Sequence, residues 1–533
     1  MSAQEWYERL SLEDRVAQLM VPRPRNLELS PTTYTDAFGA GGIIIHRDVY
    51  QDPAQMADYV AHAQRAALAR NGVPLLICCD HEGGHVRFMR TVATAVPSNM
   101  ALGAAADPEI AAEAAALLAT ELEAVGVNWT LAPVADVNNN PRNPVIGTRA
   151  YSDDPAVVGA YCAAAIRAYQ AAGLLACAKH FPGHGDTDVD SHLGLPRMAY
   201  DRARLERIEL EPFRRAIEAG VASVMTAHVL VEALDPEWIG TLSPLILTEL
   251  LRNQLGHQGL VVTDALEMAG VADILPEPEA AIEAVRAGAD ALLTGRSPSE
   301  NQSVFEALLG AARSGRIPAP RFEQAVHNVL AAKARIPSDR YVPEPARAER
   351  EVGSAANQGR ALDMARRTIT VVRDSGGLPL ARDLGDRLVV LSPLGSRRTM
   401  METWTFGQSA LGREIQQRAP DAVEVPIEFP VGNSARAEVG HVLMNAEVIV
   451  AGTLNAMVDP DQVEFLEWVR REQPNARLVV VGMRTPYEVL VMPWLETYLC
   501  AYSSVEPSMV ATAEVLFGEQ PARGRLPVKL SSE

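Results

Sequence analysis

The sequence has few cysteines, no excess of basic residues and no long apolar run. Its five cysteines among 533 residues are odd in number and follow no spacing pattern, so we expect buried, reduced thiols instead of a disulfide framework. The 48 Lys and Arg are outnumbered by 67 Asp and Glu, which gives a net charge of −19. Such an acidic chain lacks the basic surface that binds nucleic acids and anionic membranes, and we expect neither as a partner.

Segments that would direct the chain into or across a membrane are also missing from the sequence. No run of about 18 apolar residues predicts a transmembrane helix. The first residues, MSAQEWYERLSLEDRV, are charged and contain no apolar core of the kind that a signal peptide needs. Together with the reduced cysteines, these features predict a cytoplasmic protein.

The length and the pattern of apolar runs predict two domains. A single core stops growing at roughly 250–300 residues, and this chain has 533. Within residues 1–335, apolar runs alternate with alanine-rich stretches such as 107–125 and 154–172, whose composition favours helix. The runs lack polar alternation, as expected for strands covered on both faces; they are Leu19–Val21, Gly42–Ile45, Leu75–Cys79, Val127–Leu131, Leu174–Ala178, Ala222–Ala227, Leu260–Thr263 and Ala291–Leu293. This α/β pattern predicts a (β/α)8 barrel, since the alternative, an open doubly wound sheet, would need fewer strands.

The rest of the chain is predicted to form a smaller domain. Residues 336–365 are rich in proline and charge before they become helical, and we interpret them as a linker. In residues 366–533 the apolar runs restart and predict an α/β sandwich with a helix at 461–473. The predicted strands of this domain are Thr368–Val372, Leu388–Leu391, Val448–Ala451, Leu478–Val481 and Tyr498–Ala501.

Titratable residues follow or end four of the predicted barrel strands. Asp80 follows the third run, Lys179 and His180 follow the fifth, His228 follows the sixth and Asp264 follows the seventh. Active sites of (β/α)8 enzymes are built at the carboxyl ends of the strands. We therefore expect these residues at the active site, although His228 is equally well explained as a hydrogen-bonded strand end. Asp264 alone is compatible with a nucleophile, a general base, a metal ligand or a helix cap.

The segment 179–196, KHFPGHGDTDVDSHLGLP, is the most informative stretch of the chain. Its glycines, prolines and polar residues predict a loop directly after a strand. Asp190 stands two residues before His192, so its carboxylate can accept a hydrogen bond from one ring nitrogen and leave the other for a substrate. Such a histidine can donate a proton to a leaving oxygen and later take one from water. A hydrogen-bonded structural loop is the alternative.

These motifs resemble those of the β-N-acetylglucosaminidases of glycoside hydrolase family 3. The resemblance is carried by KHFPGHGDTDVDSH, by GLVVTDALEM about 70 residues later and by DHEGG at 80–84. It extends through APVADVNNNPRNPVIGTRAYSDDP at 132–155 and GRLPVKL near the C-terminus, and so covers essentially the whole chain.

The resemblance implies a role for each of these motifs. It implies that Asp264 is the nucleophile and that His192, oriented by Asp190, is the acid/base. It also implies that the non-reducing sugar is bound by four residues, namely Asp80, Arg149, Lys179 and His180.

One position departs from the family pattern. Family members usually carry an arginine eight residues after the aspartate that corresponds to Asp80, whereas position 88 here is Phe. We therefore expect Arg87 to make that sugar contact, with Arg90 as the weaker candidate.

The activity implied by the resemblance is that of a retaining exo-glycoside hydrolase without a cofactor. It would remove terminal β-linked N-acetylglucosamine through a covalent glycosyl-aspartate, from cell-wall recycling fragments or chitin oligosaccharides. A histidine does not repel an anionic acceptor as a carboxylate would, so a phosphorylase that uses inorganic phosphate is an alternative, as is a broader β-glucosidase. A catalytically silent sugar-binding protein is the alternative from another class, and the intact Asp264, His192 and Asp190 argue against it.

Two apparent metal motifs are better explained without a metal. HEGGH at 81–85 matches a zinc pattern that requires a helix, but it follows a strand end and contains adjacent glycines. His184, Asp186 and Asp188 could join His180 in a cluster, and we favour a turn network instead. Glu267 is expected to be a charge in the first turn of a helix and not a second catalytic acid.

Overall fold

The computed structural model describes residues 2–24, 30–45, 52–295, 297–394 and 410–530. Its N-terminal part contains these strands: β1 (Met20–Pro22), β2 (Gly42–Ile44), β3 (Leu76–Cys79), β4 (Trp129–Thr130), β5 (Cys177–Phe181), β6 (Arg197–Met198), β7 (Ser223–Thr226), β8 (Leu230–Val231), β9 (Leu260–Val262) and β10 (Leu292–Thr294). Each of the eight predicted runs coincides with or overlaps a strand, and β6 and β8 were not predicted.

The pairing of these strands follows a closed circle in chain order. Parallel ladders join β2, β3 and β4, then β5, β7 and β9, and finally β10 and β1. Parallel bridges from Trp129 to Leu175 and from Val262 to Ala291 connect the ladders. The circle is completed by Gly41, whose N–H donates to the Met20 carbonyl at 3.1 Å. The order of the strands is that of the predicted (β/α)8 barrel; among the described residues β6 pairs with β8, outside this circle.

Helices cover the barrel and begin at recognisable caps. The Asp52 and Asp154 carboxylates each accept two N–H groups of the first turn, and a proline follows each of them at the first helical position. In this part of the chain the helices are Ala3–Arg9, Leu12–Gln18, Thr33–Ala37, Pro53–Asn71, Asn99–Ala104, Glu109–Ala124, Pro155–Ala171, Arg202–Arg207, Glu211–Glu218, Leu245–Gln254 (π-helical), Ala269–Ala272, Glu277–Ala287, Pro298–Ser314, Ala319–Ala334 and Pro345–Glu351. Single 3₁₀ turns lie at Gly147–Arg149, Gly240–Leu242, Ser338–Arg340 and Gly385–Arg387.

The C-terminal part is a second α/β unit with its own sheet. Its strands are β11 (Thr370–Arg373), β12 (Leu388–Pro393), β13 (Val423–Ile427), β14 (Val448–Thr453), β15 (Arg477–Gly482) and β16 (Thr497–Cys500), in the order β11-β16-β15-β14-β12-β13. Only β11 is antiparallel to its neighbour. Helices cover this sheet at Ala355–Arg366, Ala410–Arg418, Asn433–Leu443, Pro460–Glu472, Glu488–Val491 and Glu506–Leu516. Five of the strands were predicted; β13 was missed because this edge strand is mostly half-buried and contains Pro426.

The second unit packs against loops at the mouth of the barrel. The Ser98 hydroxyl donates to the Tyr502 carbonyl at 2.7 Å, and the Asn138 amide donates to the Tyr487 hydroxyl at 3.0 Å. All five cysteines are buried and unpaired, as expected. Among the helices that the structure describes, none has the length and apolar character needed to cross a membrane.

Candidate active site

The strand ends predicted to carry chemistry meet at one end of the barrel. Because β3, β5, β7 and β9 are parallel, the residues at their carboxyl ends face the same opening. Asp80 follows β3, Lys179 and His180 lie in β5, and Asp264 comes two residues after β9. The barrel thus gathers residues that are far apart in the sequence around one mouth.

A buried cluster of charges lies on the β3 side of this mouth. The Lys179 ammonium is 2.7 Å from both the Asp80 and the Glu82 carboxylates. Two nitrogens of Arg149 each donate to Glu82 at 2.9 Å, in a bidentate pair. Burial alone would lower the pKa of Lys179, but Asp80 and Glu82 outweigh it and hold that pKa above its usual value.

Within this cluster, Asp80 differs from Glu82 in its access to the mouth. The Asp80 side chain is 34% exposed, whereas the Glu82 side chain is 2% exposed. Burial raises the pKa of Glu82, but the charges of Arg149 and Lys179 outweigh this effect and hold that pKa below its usual value. Glu82 therefore stays ionised inside the protein. Asp80 therefore can accept hydrogen bonds from a ligand, and Glu82 braces the two cations.

His180 connects this cluster to a third carboxylate, that of Asp136. Its Nδ1 is 2.7 Å from Asp136 Oδ2, and its Nε2 is 3.3 Å from Arg149 Nη2. Asp136 is 1% exposed and also accepts from the backbone N–H of His184 at 2.7 Å. Asp136 and Glu82 were not selected from the sequence. Glu82 stands inside the DHEGG motif, where it was considered only as part of a zinc pattern, and Asp136 lies inside the APVADV segment.

The predicted Asp190 and His192 pair is present in the loop after β5. His192 Nδ1 is 2.7 Å from Asp190 Oδ1, which also accepts the backbone N–H of His192 at 2.9 Å. Burial raises the pKa of Asp190, but the hydrogen bonds and charge of His192 outweigh it and lower that pKa. The His192 side chain is 19% exposed, so its ring edge is accessible while Asp190 stays buried. This geometry fixes the orientation of the ring.

The base of this loop is anchored by close backbone packing. A Cβ at Gly185 would lie 1.7 Å from the Val137 carbonyl oxygen, so only glycine fits there. The Asn143 amide donates to the carbonyls of His184 and Gly185, each at 2.9 Å. These contacts hold the loop base against the segment that follows β4.

A turn network, as expected, surrounds His184 and reaches the loop tip. His184 Nδ1 is 2.7 Å from the Thr187 hydroxyl, and its Nε2 is 3.0 Å from the Ser191 hydroxyl. Burial lowers the pKa of His184 to about 4, so the ring is neutral near pH 7. The Ser191 carbonyl accepts from Gly270 N–H at 3.1 Å, which ties the loop to the segment after β9.

Asp264 lies among three histidines. Its Oδ1 accepts the N–H of Ala265 at 2.7 Å. Burial raises the pKa of Asp264, but the nearby His228, His180 and His192 outweigh it and lower this pKa to about 2. Asp264 is therefore ionised near neutral pH, and His192 is close enough to influence its pKa.

Two further residues selected from the sequence are Arg87 and Glu267. Burial and the neighbouring Arg90 lower the pKa of Arg87 to about 10 against the influence of Glu121, so both groups are near Arg87. Its contact with a sugar stays a prediction. Glu267 precedes the helix Ala269–Ala272 and forms an ion pair with Arg23, so its placement in a first helical turn was wrong.

The HEGGH segment is a tight turn and not a helix. Gly83 and Val86 form an antiparallel bridge, and Gly83 and Gly84 have φ angles of +95° and +54°. Both rings of a zinc motif would need one helical face. The structure confirms the expectation that this segment is not the helix that the zinc motif requires.

Comparison with known proteins identifies the family. The profile described as "Glycosyl hydrolase family 3 N terminal domain" matches residues 11–332. Beta-hexosaminidase A of Pseudoalteromonas piscicida is 30% identical over 93% of this chain and 90% of its own length. The beta-N-acetylglucosaminidase/beta-glucosidase of Cellulomonas fimi is 30% identical over 86% of this chain and 84% of its own. The structure of a glycoside hydrolase family 3 beta-N-acetylglucosaminidase from Paenibacillus sp. str. FPU-7 superimposes with a TM-score of 0.91 at 35% identity, covering 98% of this chain and all of that one. The chain therefore belongs to glycoside hydrolase family 3.

Proposed function

We propose that this protein is a retaining exo-β-N-acetylglucosaminidase that uses Asp264 as nucleophile and His192 as acid/base. The observation that carries the proposal is the ionised Asp264 within electrostatic reach of His192, whose other nitrogen is bonded to Asp190. A sugar-binding protein would need neither a nucleophile nor a supported proton donor. The names of the relatives supply the sugar, since they are β-hexosaminidases and β-N-acetylglucosaminidases.

The first half-reaction breaks the glycosidic bond. An Asp264 oxygen attacks the anomeric carbon and forms the covalent glycosyl-aspartate, while the bond from that carbon to the leaving oxygen breaks. Protonated His192 gives its Nε2 proton to the leaving oxygen, so the aglycone departs as a neutral alcohol. Asp190, bonded to Nδ1, stabilises the imidazolium before this transfer.

The second half-reaction restores the enzyme. Neutral His192 takes a proton from water, whose oxygen attacks the anomeric carbon from the side that the aglycone left. The bond to Asp264 breaks and its electron pair returns to the carboxylate. Two displacements at one carbon retain the β-configuration.

The sugar is assigned to the buried cluster on the β3 side of the mouth. Asp80 is the accessible acceptor for sugar hydroxyls, and Lys179, Arg149 and His180 supply further polar contacts around it. In this proposal residues 1–335 carry catalysis, residues 336–365 link the domains, and residues 366–533 form the second domain. The substrates would be cell-wall recycling fragments or chitin oligosaccharides.

Phosphate is a second candidate for the acceptor. The acid/base is a histidine whose supporting carboxylate is buried and bonded to it, so an anionic acceptor meets no exposed acid/base carboxylate. Sugar 1-phosphate formed in phosphate buffer would identify a phosphorylase, and free sugar alone would identify a hydrolase.

The test is release of 4-nitrophenol from its β-N-acetylglucosaminide and its β-glucoside. We expect preference for the acetamido sugar, and loss of roughly four orders of magnitude in Asp264→Asn, which keeps shape but removes the nucleophile. Asp273→Asn, an exposed aspartate in the same segment, is the matched control. Full activity of Asp264→Asn would refute the proposal. So would a wild type that turns over neither glycoside, in phosphate buffer or in phosphate-free buffer.

A further inference from the structure

The buried Asp136 has a position that none of the proposed catalytic roles uses. It follows β4, is 1% exposed and touches both His180 and the start of the loop that carries His192. Its Oδ1 accepts the backbone N–H groups of His180 at 3.3 Å and of His184 at 2.7 Å. Its Oδ2 faces His180 Nδ1 at 2.7 Å. One carboxylate therefore meets three donors, each of which has a defined place.

The hydrogen bonds around His180 determine where its proton is. Arginine has only donors, so the Nε2 atom that faces Arg149 Nη2 at 3.3 Å must be an acceptor. An ionised carboxylate has only acceptors, so the Nδ1 atom that faces Asp136 must carry the hydrogen. The two partners thus require the same neutral tautomer, with hydrogen on Nδ1 and a lone pair on Nε2.

We propose that Asp136 is a positioning residue that fixes the tautomer of His180, so that the sugar site presents an imidazole acceptor beside Asp264. The effect on substrate rests on the proposed function, because His180 must contact the sugar for its tautomer to matter. The tautomer itself does not depend on it, since it is a property of the free protein. His180 and Asp264 are near one another, because His180 is among the groups that influence this carboxylate.

Asp136→Asn is a sharp test because the orientation of the new amide is determined. The two backbone N–H groups that meet Oδ1 require an oxygen, so the amide NH₂ must take the place of Oδ2. This NH₂ donates to Nδ1 and forces the hydrogen of His180 onto Nε2. There it would face the Arg149 donor, and the site would lose an acceptor. The bond from His184 N–H is kept, so the loop base stays anchored.

The first measurement is the nitrogen NMR spectrum of the histidine rings in the free protein, with the His180 signals assigned by their loss in His180→Gln. We expect the Nδ1–H tautomer in wild type and the Nε2–H tautomer in Asp136→Asn. An Nε2–H tautomer in wild type overturns the proposal without any variant of Asp136. An unchanged Nδ1–H tautomer in a folded Asp136→Asn also overturns it.

The second measurement is a double-mutant cycle on kcat/KM. Asp136→Asn should lower kcat/KM about 10- to 100-fold, in the range expected when a hydrogen bond to a charged group is replaced by a mismatched one. In the His180→Gln background, Asp136→Asn should lower kcat/KM by less than about threefold. An equal cost in both backgrounds would show that Asp136 acts only on loop structure and would overturn the proposal.

Asp290→Asn is the control for general damage. Asp290 is fully buried, precedes β10 at the opposite end of the barrel, and is bonded to Arg252 and Arg321, each at 2.5 Å. It should lower thermal stability while the His180 tautomer stays unchanged. Correct His180 tautomers with no glycosidase activity in wild type would refute the proposed function and leave this inference standing.

Discussion

The two sides of the barrel mouth are held in place by different forces. On the β3 side, Lys179 and Arg149 are 1% and 5% exposed and are bonded to the carboxylates of Glu82 and Asp80. Moving any of these groups would leave an uncompensated buried charge, which is strongly unfavourable. This side is therefore rigid and formed before substrate arrives.

The side that carries His192 is much less enclosed. Val189 and Leu193 are 38% and 67% exposed in the same loop, so its tip buries little apolar surface. Near His192 the loop is held by a hydrogen bond between the Ser191 hydroxyl and His184 Nε2, and by one that the Gly270 N–H donates to the Ser191 carbonyl. Segments with few buried contacts open at low free-energy cost. Under the proposed function, sugar recognition would therefore be built into the barrel, whereas proton transfer would depend on a more adjustable loop.

Removing one charge from the rigid side should have the largest effect. Glu82→Gln leaves Lys179 and Arg149 with Asp80 as their remaining carboxylate in this cluster, and breaking a buried ion pair in this way costs about 3–5 kcal/mol. We expect a large fall in the free energy of unfolding and a raised KM, measured by denaturant titration and steady-state kinetics. Asp188→Asn, an exposed change in the loop tip, is the control. Similar losses of stability in Glu82→Gln and Asp188→Asn would show that the β3 side is no more rigid than the loop that carries His192.

Removing the proposed acid/base, His192, should lower the reaction rate by more than it lowers the stability. His192→Ala removes the ring N–H that the buried Asp190 carboxylate accepts, so we expect a loss of about 1–3 kcal/mol in the free energy of unfolding, below that of Glu82→Gln. General acid catalysis contributes about 10²- to 10⁴-fold, and we expect that loss of kcat/KM with a sugar aglycone. With 4-nitrophenol, a good leaving group, the loss in the first half-reaction should be much smaller. An equal loss with both substrates would argue against His192 as the proton donor.

Two glycines of the same loop allow a direct comparison between its base and its tip. Gly185→Ala places a Cβ against the Val137 carbonyl, so the backbone must move, whereas a Cβ at Gly194 meets only Val189 Cγ1 at 3.6 Å. We expect Gly185→Ala to lose roughly 1–3 kcal/mol of stability and most activity, and Gly194→Ala to change either by little. Thermal unfolding and kcat/KM of both variants measure this. If Gly185→Ala kept its stability and activity, or if Gly194→Ala lost them, the assignment of a rigid base and an adjustable tip would be wrong.

Much of the fold could be predicted because the signals are local in the sequence. Each barrel strand is a short apolar run, and capped helices such as Pro53–Asn71 and Pro155–Ala171 follow from composition and from an aspartate and a proline at their start. The edge strand β13 has neither signal, since half-burial and Pro426 weaken its pattern.

The site was predictable only where motif and chemistry coincide. Asp190 and His192 are two residues apart, so their hydrogen bond could be expected from spacing alone. The partners Asp136 and His180 are 44 positions apart, and Glu82 and Arg149 are 67 apart, so only the closed barrel brings them together. Arg87 is near Arg90 and Glu121, and its contact with a sugar stays a prediction.

The acid limb of the pH profile should show how strongly the adjustable side influences the nucleophile. The pKa of Asp264 is lowered from its ordinary 3.8 to about 2, against the effect of burial, by His228, His180 and His192. A lowered pKa keeps the ionised, reactive form present at pH 4 and loses it only as pH falls through the lowered value. We therefore expect kcat/KM to fall toward pH 2, measured in short assays with recovery at pH 7 to exclude unfolding. In His228→Gln the limb should move upward, because the first-named of the groups that lower the pKa of Asp264 is lost. If the acid limb of wild type lies near pH 4 and does not move in His228→Gln, the histidines do not set the pKa of Asp264.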